Sequence, residues 1–222
     1  MRAIGIFGGS FDPVHHGHLA IAKAAREELG LESIRWVPTG LPGHRNAPVA
    51  SASDRLAMLR IALANDHRST IDEEELALAA RGVATFTVNS LTRIRSQLGS
   101  ATALALIIGS DQFAALDTWR DWLRLFELAH VAVAERPGHA IDPTRLPAAV
   151  AGQWNLRRSD SMTNDPCGRI VQFSMPAVDV SSTSVRETIG HGADAGHLLP
   201  GEVLAYIQSH GLYAAPHRSP PL

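Results

Sequence analysis

Two histidines three residues apart, His15 and His18, follow a glycine pair in the stretch Gly8-Gly9-Ser10-Phe11-Asp12-Pro13-Val14-His15-His16-Gly17-His18. That spacing lets both imidazoles face one pocket at the start of a helix. An imidazole can donate to a phosphate oxygen and can carry positive charge beside it. Glycines lack a Cβ, so their backbone can approach a phosphate closely. The first N–H groups of a helix have no intrahelical acceptor, and they favour an anion there. The stretch is neither of the common phosphate loops. It is not Gly-x-Gly-x-x-Gly, and it lacks the Lys-Ser/Thr pair that ends a Walker A loop. A surface histidine-rich turn or an adventitious metal site would use some of the same residues. The glycine pair, Pro13 and the strand-to-helix position instead agree on anion binding.

A second phosphate candidate is Val180-Ser181-Ser182-Thr183-Ser184-Val185-Arg186. Hydroxyls at a helix N-terminus can cap the helix or bind phosphate. An arginine one turn in can fork onto phosphate oxygens. An ordinary N-cap with a solvated arginine is the competing reading. A third candidate is Gly109-Ser110-Asp111, after the most apolar run of the chain. An aspartate at such a strand end suits ribose hydroxyls, or it caps the next helix.

These motifs need elements to hold them. Residues 3–7 form a short apolar run stopped by glycines, which reads as a strand. From Gly17 the apolar residues Ile21, Ala24, Ala25 and Leu29 recur at helical spacing, with Gly30 as the stop. Residues 34–37 read as a strand, 39–51 as a loop, and 54–63 as a helix with Ser53 as its N-cap. Residues 70–72 read as a short strand and 85–98 as a helix with Val88, Leu91 and Ile94 on one face. Strands are expected over 103–108, 131–134 and 170–173. Helical pieces are expected over 112–128, 143–151, 184–189 and 202–210, and a polar, irregular segment over 152–168. The alternation implies an α/β fold: a Rossmann-like doubly wound, mostly parallel sheet with helices on both faces. Ligands of such sheets bind beyond the carboxyl ends of the strands, where all three motifs fall. One domain is expected over 1–213. Residues 214–222, with Pro216, Pro220 and Pro221, read as a disordered tail.

Composition narrows the function. The formal net charge is −2, so no global basic field draws the chain to nucleic acid. The basic residues are almost all arginine, Lys23 being the one lysine. The single cysteine, Cys167, excludes an internal disulfide and a Cys-rich zinc site and fits a reducing cytoplasm. No apolar run approaches the roughly 18 residues of a membrane span. No membrane partner is expected.

The segment His15-x-Gly17-His18 resembles the phosphate-binding signature of the adenylyl- and cytidylyltransferases. The longer string from Gly8 resembles the form found in nicotinate-mononucleotide adenylyltransferases. The resemblance implies that His15, His18 and Arg186 act on the transferring and leaving phosphates. It implies that ATP contacts Gly8, Gly9, Ser10, Phe11, Gly17, Gly109, Asp111 and Arg136, with Ser181, Ser182 and Thr183 on the β- and γ-phosphates. Thr118-Trp119 resembles the family's Thr-Trp, whose indole stacks on the pyridine ring. The resemblance also assigns Arg45 to the mononucleotide phosphate. Ala84-Thr85-Phe86-Thr87-Val88-Asn89-Ser90-Leu91 resembles a segment whose backbone N–H groups hold the nicotinate carboxylate. Thr85 lies in it, with Ala84, Phe86 and Asn89 departing from the family's Pro, Tyr and Asp. Arg120 stands where relatives have tyrosine and would add charge near that carboxylate.

The implied reaction moves AMP from ATP to nicotinate mononucleotide and releases pyrophosphate. Mg²⁺ is expected to ride on the triphosphate, with no dedicated metal site. The partners are then two small molecules, and self-association into a homo-oligomer stays open. Another adenylyltransferase of the superfamily, with nicotinamide mononucleotide or phosphopantetheine as acceptor, is the near alternative. A nucleotide-sensing protein without catalysis is the distant one.

Overall fold

A computed structural model of the chain describes residues 3–42, 47–135, 141–162 and 165–214. In chain order the elements are β1 (Ala3–Gly9), α1 (His16–Glu28), β2 (Ser33–Pro38), β3 (Leu41–Pro42), α2 (Ala52–Leu63), β4 (Ser69–Ile71) and α3 (Glu74–Ala80). They continue with β5 (Ala84–Thr85), α4 (Thr87–Leu98), β6 (Ala103–Gly109), α5 (Ser110–Ala114), α6 (Leu125–Leu128) and β7 (His130–Glu135). The last are α7 (Ala148–Arg157), β8 (Arg158–Ser159), β9 (Ile170–Ser174), α8 (Ser182–Gly190) and α9 (Gly201–Ser209).

Seven strands form one sheet in the order β4-β2-β1-β6-β7-β9-β8, and each neighbouring pair is parallel. The chain winds outward from β1 in one direction through β2 and β4. It returns to the other side of β1 at β6. The strand order therefore reverses between β1 and β6, the place where a doubly wound sheet opens a crevice. β3 and β5 form a separate two-stranded parallel ribbon.

Side chains of the central strands alternate between two buried clusters, as the two-residue period of a strand requires. Leu104, Leu106 and Ile108 of β6 and Val131 and Val133 of β7 face α4, α6 and α7. Ala105 and Ile107 of β6 and Ala132 and Ala134 of β7 face α1, α2 and α9. That second face is floored largely by small residues. Ala22, Ala24 and Ala25 of α1 are buried against it. Small residues on both sides let α1 lie close over the sheet, so its N-terminus emerges beside the end of β1.

Several sequence expectations shift. The N-cap of α2 is Ser51, whose Oγ accepts from the Asp54 N–H at 3.1 Å, and not Ser53. Helix α3 was not anticipated. Its signal is an acidic first turn, favourable at the positive end of a helix dipole. The expected irregular segment over 152–168 begins as helix, since α7 runs to Arg157 and buries Trp154. Trp154 and Val150 hold it against the sheet cluster. Within 85–98 the helix starts at Thr87, with Ala84 and Thr85 extended. The expected tail beyond residue 214 lies outside the described residues. Among the described residues no helix is long and apolar enough to cross a membrane.

Candidate active site

The loop between β1 and α1 is built from buried residues, although its sequence looks polar at both ends. Phe11, Asp12, Pro13, Val14 and His15 are all buried, whereas Gly8 and Ser10 are exposed. Phe11 has φ +48°, a conformation that L residues seldom adopt. Its ring is packed against Phe7 at 5.7 Å, Trp36 at 5.3 Å and His18 at 5.0 Å between centroids. Burial of the aromatic ring offsets the unfavourable backbone.

His15 is the N-cap of α1 and His18 is three residues into it. The His15 N–H donates to His18 Nδ1 at 3.3 Å, and the two rings stack with centroids 3.8 Å apart. Because Nδ1 is the acceptor, the neutral His18 ring carries its proton on Nε2. A Cβ on Gly17 would sit 3.0 Å from Val180 Cγ1 and 3.1 Å from His15 Cε1. Glycine there lets the start of α1 close onto the segment that leads into α8.

The two phosphate motifs, distant in sequence, meet here. Ser182 Oγ donates to the Pro13 carbonyl at 3.0 Å. Arg186 Nη1 donates to the Asp12 carbonyl at 2.7 Å and lies 3.9 Å from its carboxylate, while Nη2 reaches Thr183 Oγ1 at 3.3 Å. The N-termini of α1 and α8 thus open onto the same loop. Ser181 takes the capping role: its Oγ accepts from the Ser184 N–H at 3.0 Å, within a capping box.

Asp12 anchors this loop. Its buried carboxylate accepts from the Val49 N–H at 2.6 Å, the Ala50 N–H at 3.0 Å and the Tyr213 hydroxyl at 2.7 Å. Burial, and then donation to that carboxylate, pushes the Tyr213 phenol well above its ordinary value. Arg55 of α2 is also buried and donates to the Ser10 carbonyl at 2.7 Å and the Thr39 carbonyl at 2.9 Å. Burial lowers the Arg55 guanidinium's pKa, opposed by the nearby Asp12 carboxylate. Arg55 therefore ties the loop after β1 to the loop after β2.

Beside the glycine pair lies a cleft of about 90 Å³ at the β1–β6 reversal. Gly8, Gly9, Glu75, Thr85, Phe86 and Trp119 are among its walls. Trp119 is half-buried and follows the turn Leu116–Thr118, which Thr118 Oγ1 closes by donating to the Ala115 carbonyl at 2.7 Å. The exposed Arg120 guanidinium lies 4.7 Å from the Phe86 ring centroid, a cation–π contact at the cleft's rim. The Thr85 hydroxyl does not enter the cleft as a free donor. It donates to Glu75 Oε2 at 2.9 Å. Its one proton is thereby engaged, so any donation from Thr85 to a ligand falls to its backbone N–H. Gly109 and Asp111 stand at the end of β6 and in the first turn of α5, with Asp111 exposed. Arg45 and Arg136 lie outside the described residues. Among the described residues no three His, Cys, Asp or Glu side chains gather as metal ligands.

Sequence reasoning passed over Arg55, Glu75, Gln112 and Tyr213. Gln112 lines the cleft from α5. Glu75 is one of three consecutive glutamates, and nothing local marks which of them turns inward. Arg55 sits on a helix whose apolar periodicity is weak, so its burial had no sequence signal.

The cytidylyltransferase-like family model matches residues 6–188, which span both phosphate motifs and the sheet. A protein of Laribacter hongkongensis, named as a probable nicotinate-nucleotide adenylyltransferase, is 48% identical over 95% of this chain and 94% of its own. One of Dechloromonas aromatica with the same name is 42% identical over 95% of this chain and 97% of its own. The solved structure of Plasmodium falciparum nicotinic acid mononucleotide adenylyltransferase complexed with NaAD shares the fold. Its TM-score is 0.72 at 17% identity, covering 96% of this chain and 98% of that one. With its parallel sheet, paired phosphate motifs and near full-length likeness to these relatives, the chain belongs to the cytidylyltransferase-like family, among its nicotinate-nucleotide adenylyltransferases.

Proposed function

We propose that the protein transfers AMP from ATP to nicotinate mononucleotide, forming nicotinate adenine dinucleotide and pyrophosphate. The convergence of the His15–His18 loop with Arg186 beside an aromatic cleft supports this reading most directly. A mononucleotide 5′-phosphate oxygen attacks the α-phosphorus of ATP. The new P–O bond forms in line with the α–β bridging P–O bond that breaks, and pyrophosphate leaves. The attacking phosphate is already ionised near neutral pH, with a second pKa of about 6, so no general base is needed. Catalysis rests on positioning and charge stabilisation.

His18 is oriented to offer Nε2–H to a phosphate oxygen, and His15 caps the same helix end. Arg186 brings a cation onto the loop, and the ends of α1 and α8 add partial positive charge. Gly8, Gly9, Ser10, Phe11 and Gly17 would line the nucleotide's path, with Asp111 and Arg136 toward its ribose and base. Ser181, Ser182 and Thr183 would meet the β- and γ-phosphates once the triphosphate displaces their present bonds. Trp119 and the Thr85 backbone would hold the pyridine ring, Arg120 its carboxylate and Arg45 the mononucleotide phosphate. Mg²⁺ enters on the triphosphate as part of the substrate. A cytoplasmic setting, with both substrates as free small molecules, fits this chemistry.

The test is pyrophosphate release with ATP and, in parallel, nicotinate mononucleotide, nicotinamide mononucleotide and phosphopantetheine. Turnover is expected to be fastest with the nicotinate acceptor. A faster reaction with either of the others would reassign the acceptor, and silence with all three would exclude the transferase reading.

A further inference from the structure

Glu75 and Arg55 grip the same peptide group from opposite sides. The Thr39 carbonyl accepts from Arg55 Nη2 at 2.9 Å. The Gly40 N–H, the other end of that peptide bond, points to Glu75 Oε2 at 3.4 Å. Both charged side chains are buried: Arg55 is 2% exposed and Glu75 8%. Arg55 continues to the Ser10 carbonyl in the phosphate loop. Glu75 continues to Thr85 Oγ1 at 2.9 Å and Ser90 Oγ at 2.6 Å, at the start of the cleft wall. A chain of hydrogen bonds therefore runs Ser10–Arg55–Thr39/Gly40–Glu75–Thr85/Ser90.

The packing around this link is tight. A Cβ on Gly40 would overlap the Glu75 carbonyl oxygen, so α3 lies directly on the loop after β2. The loop leading into β3 and the segment from β5 into α4, already paired through the β3–β5 ribbon, then also share one carboxylate. A buried carboxylate with several donors is costly to remove, because each donor loses its acceptor without gaining water. A peptide dipole between a buried cation and a buried anion is also aligned by both.

We propose that Glu75 is a positioning residue for acceptor binding. Through the Thr39–Gly40 peptide it fixes the Thr85–Phe86–Thr87 wall of the cleft at a set distance from the phosphate loop. The proposal rests on the adenylyl-transfer reading above. Glu75 holds the wall and takes no part in the chemistry, so its loss falls on the acceptor and spares ATP.

Steady-state kinetics separate the two substrates. Glu75→Ala is expected to raise KM for nicotinate mononucleotide about tenfold, the scale of one lost buried acceptor. KM for ATP should stay within about twofold, a change too small to signal a lost contact. Glu75→Gln should recover most of the loss, since its amide oxygen can accept from Gly40 and Thr85 while the Ser90 hydroxyl turns to accept. Thr85→Val, which keeps the carboxylate and removes one tie, should raise the same KM more weakly, and it carries the test if Glu75→Ala does not fold. Wild-type turnover with an unmoved acceptor KM in the folded variants would overturn the proposal. So would an equal rise in both KM values without rescue by Gln. Absence of wild-type turnover with any acceptor would instead overturn the reaction itself.

Discussion

His18 is oriented by its own helix before any ligand arrives, because the His15 N–H already fixes its Nδ1. Replacing it removes a donor without opening the core, since its ring is only half-buried. His18→Ala should lower turnover by about 10²-fold or more, the scale for one lost transition-state donor, with the fold kept and stability lowered only by the lost capping bond to the His15 N–H, about 1 kcal/mol. Pyrophosphate release and calorimetry check the pair, and near-wild-type turnover would remove His18 from the site. Gly17→Ala is the steric counterpart. Its Cβ would press on Val180 and His15, so the start of α1 must move away from α8. Turnover should fall there too, with KM for ATP raised. Single residues of this kind were legible in the sequence because their chemistry is uncommon and their spacing is short. Arg55 and Glu75 were not, because their meaning lies in partners 45 and 15 residues away. A glutamate among glutamates and an arginine on a helix read as solvated side chains until the fold turns them inward.

At the level of elements, the strands were easiest to read, since β6 and β7 are nearly continuous apolar runs buried on both faces. The boundaries of helices were less so, because capping depends on which hydroxyl folds back. Ser51 and Ser53 are both plausible caps by type, yet Ser51 Oγ meets the Asp54 N–H. Ser51→Ala should therefore cost about 1 kcal/mol, and Ser53→Ala within about 0.5 kcal/mol, by urea denaturation. An equal loss from both would mean the cap is shared. Helix α3 escaped notice because it is seven residues long and buries only Glu75 and Leu76. Its docking depends on glycine in the facing loop. Gly40→Ala should destabilise the fold by roughly 1–3 kcal/mol, as overpacking does. A variant as stable as wild type would show that α3 can slide.

For the molecule as a whole, pH enters through His130. It is fully buried at the start of β7, with Nε2 donating to the Asp165 carbonyl at 2.8 Å and Nδ1 accepting from the Arg169 N–H at 3.2 Å. A second ring proton would face the Arg169 N–H, and burial already pushes the imidazole's pKa below its ordinary value. The unfolded chain then takes up a proton, as pH falls through about 6.5, that the folded chain refuses. Stability attributable to His130 is complete above that pH. It falls by up to about 1.4 kcal/mol per pH unit below it, until the folded pKa is reached. Denaturation midpoints between pH 7.5 and 5 should therefore decline more steeply for wild type than for His130→Gln. Parallel slopes would show that other groups dominate the acid limb. The same whole-molecule view explains why the site was only half visible in sequence. The sheet brings together ends of the chain that no local pattern connects. Asp12 bonds to Tyr213, 201 residues later, and to Arg186, 174 later. On a ribosome adding roughly 5–20 residues per second, about 10 to 40 s separate the birth of Asp12 from that of Tyr213. Through that interval the first phosphate loop has its nearer partners, Val49, Ala50 and Arg55, but lacks Arg186 and Tyr213. A nascent or prematurely ended chain thus carries both histidines yet no assembled site, and competence arrives only with the last helices.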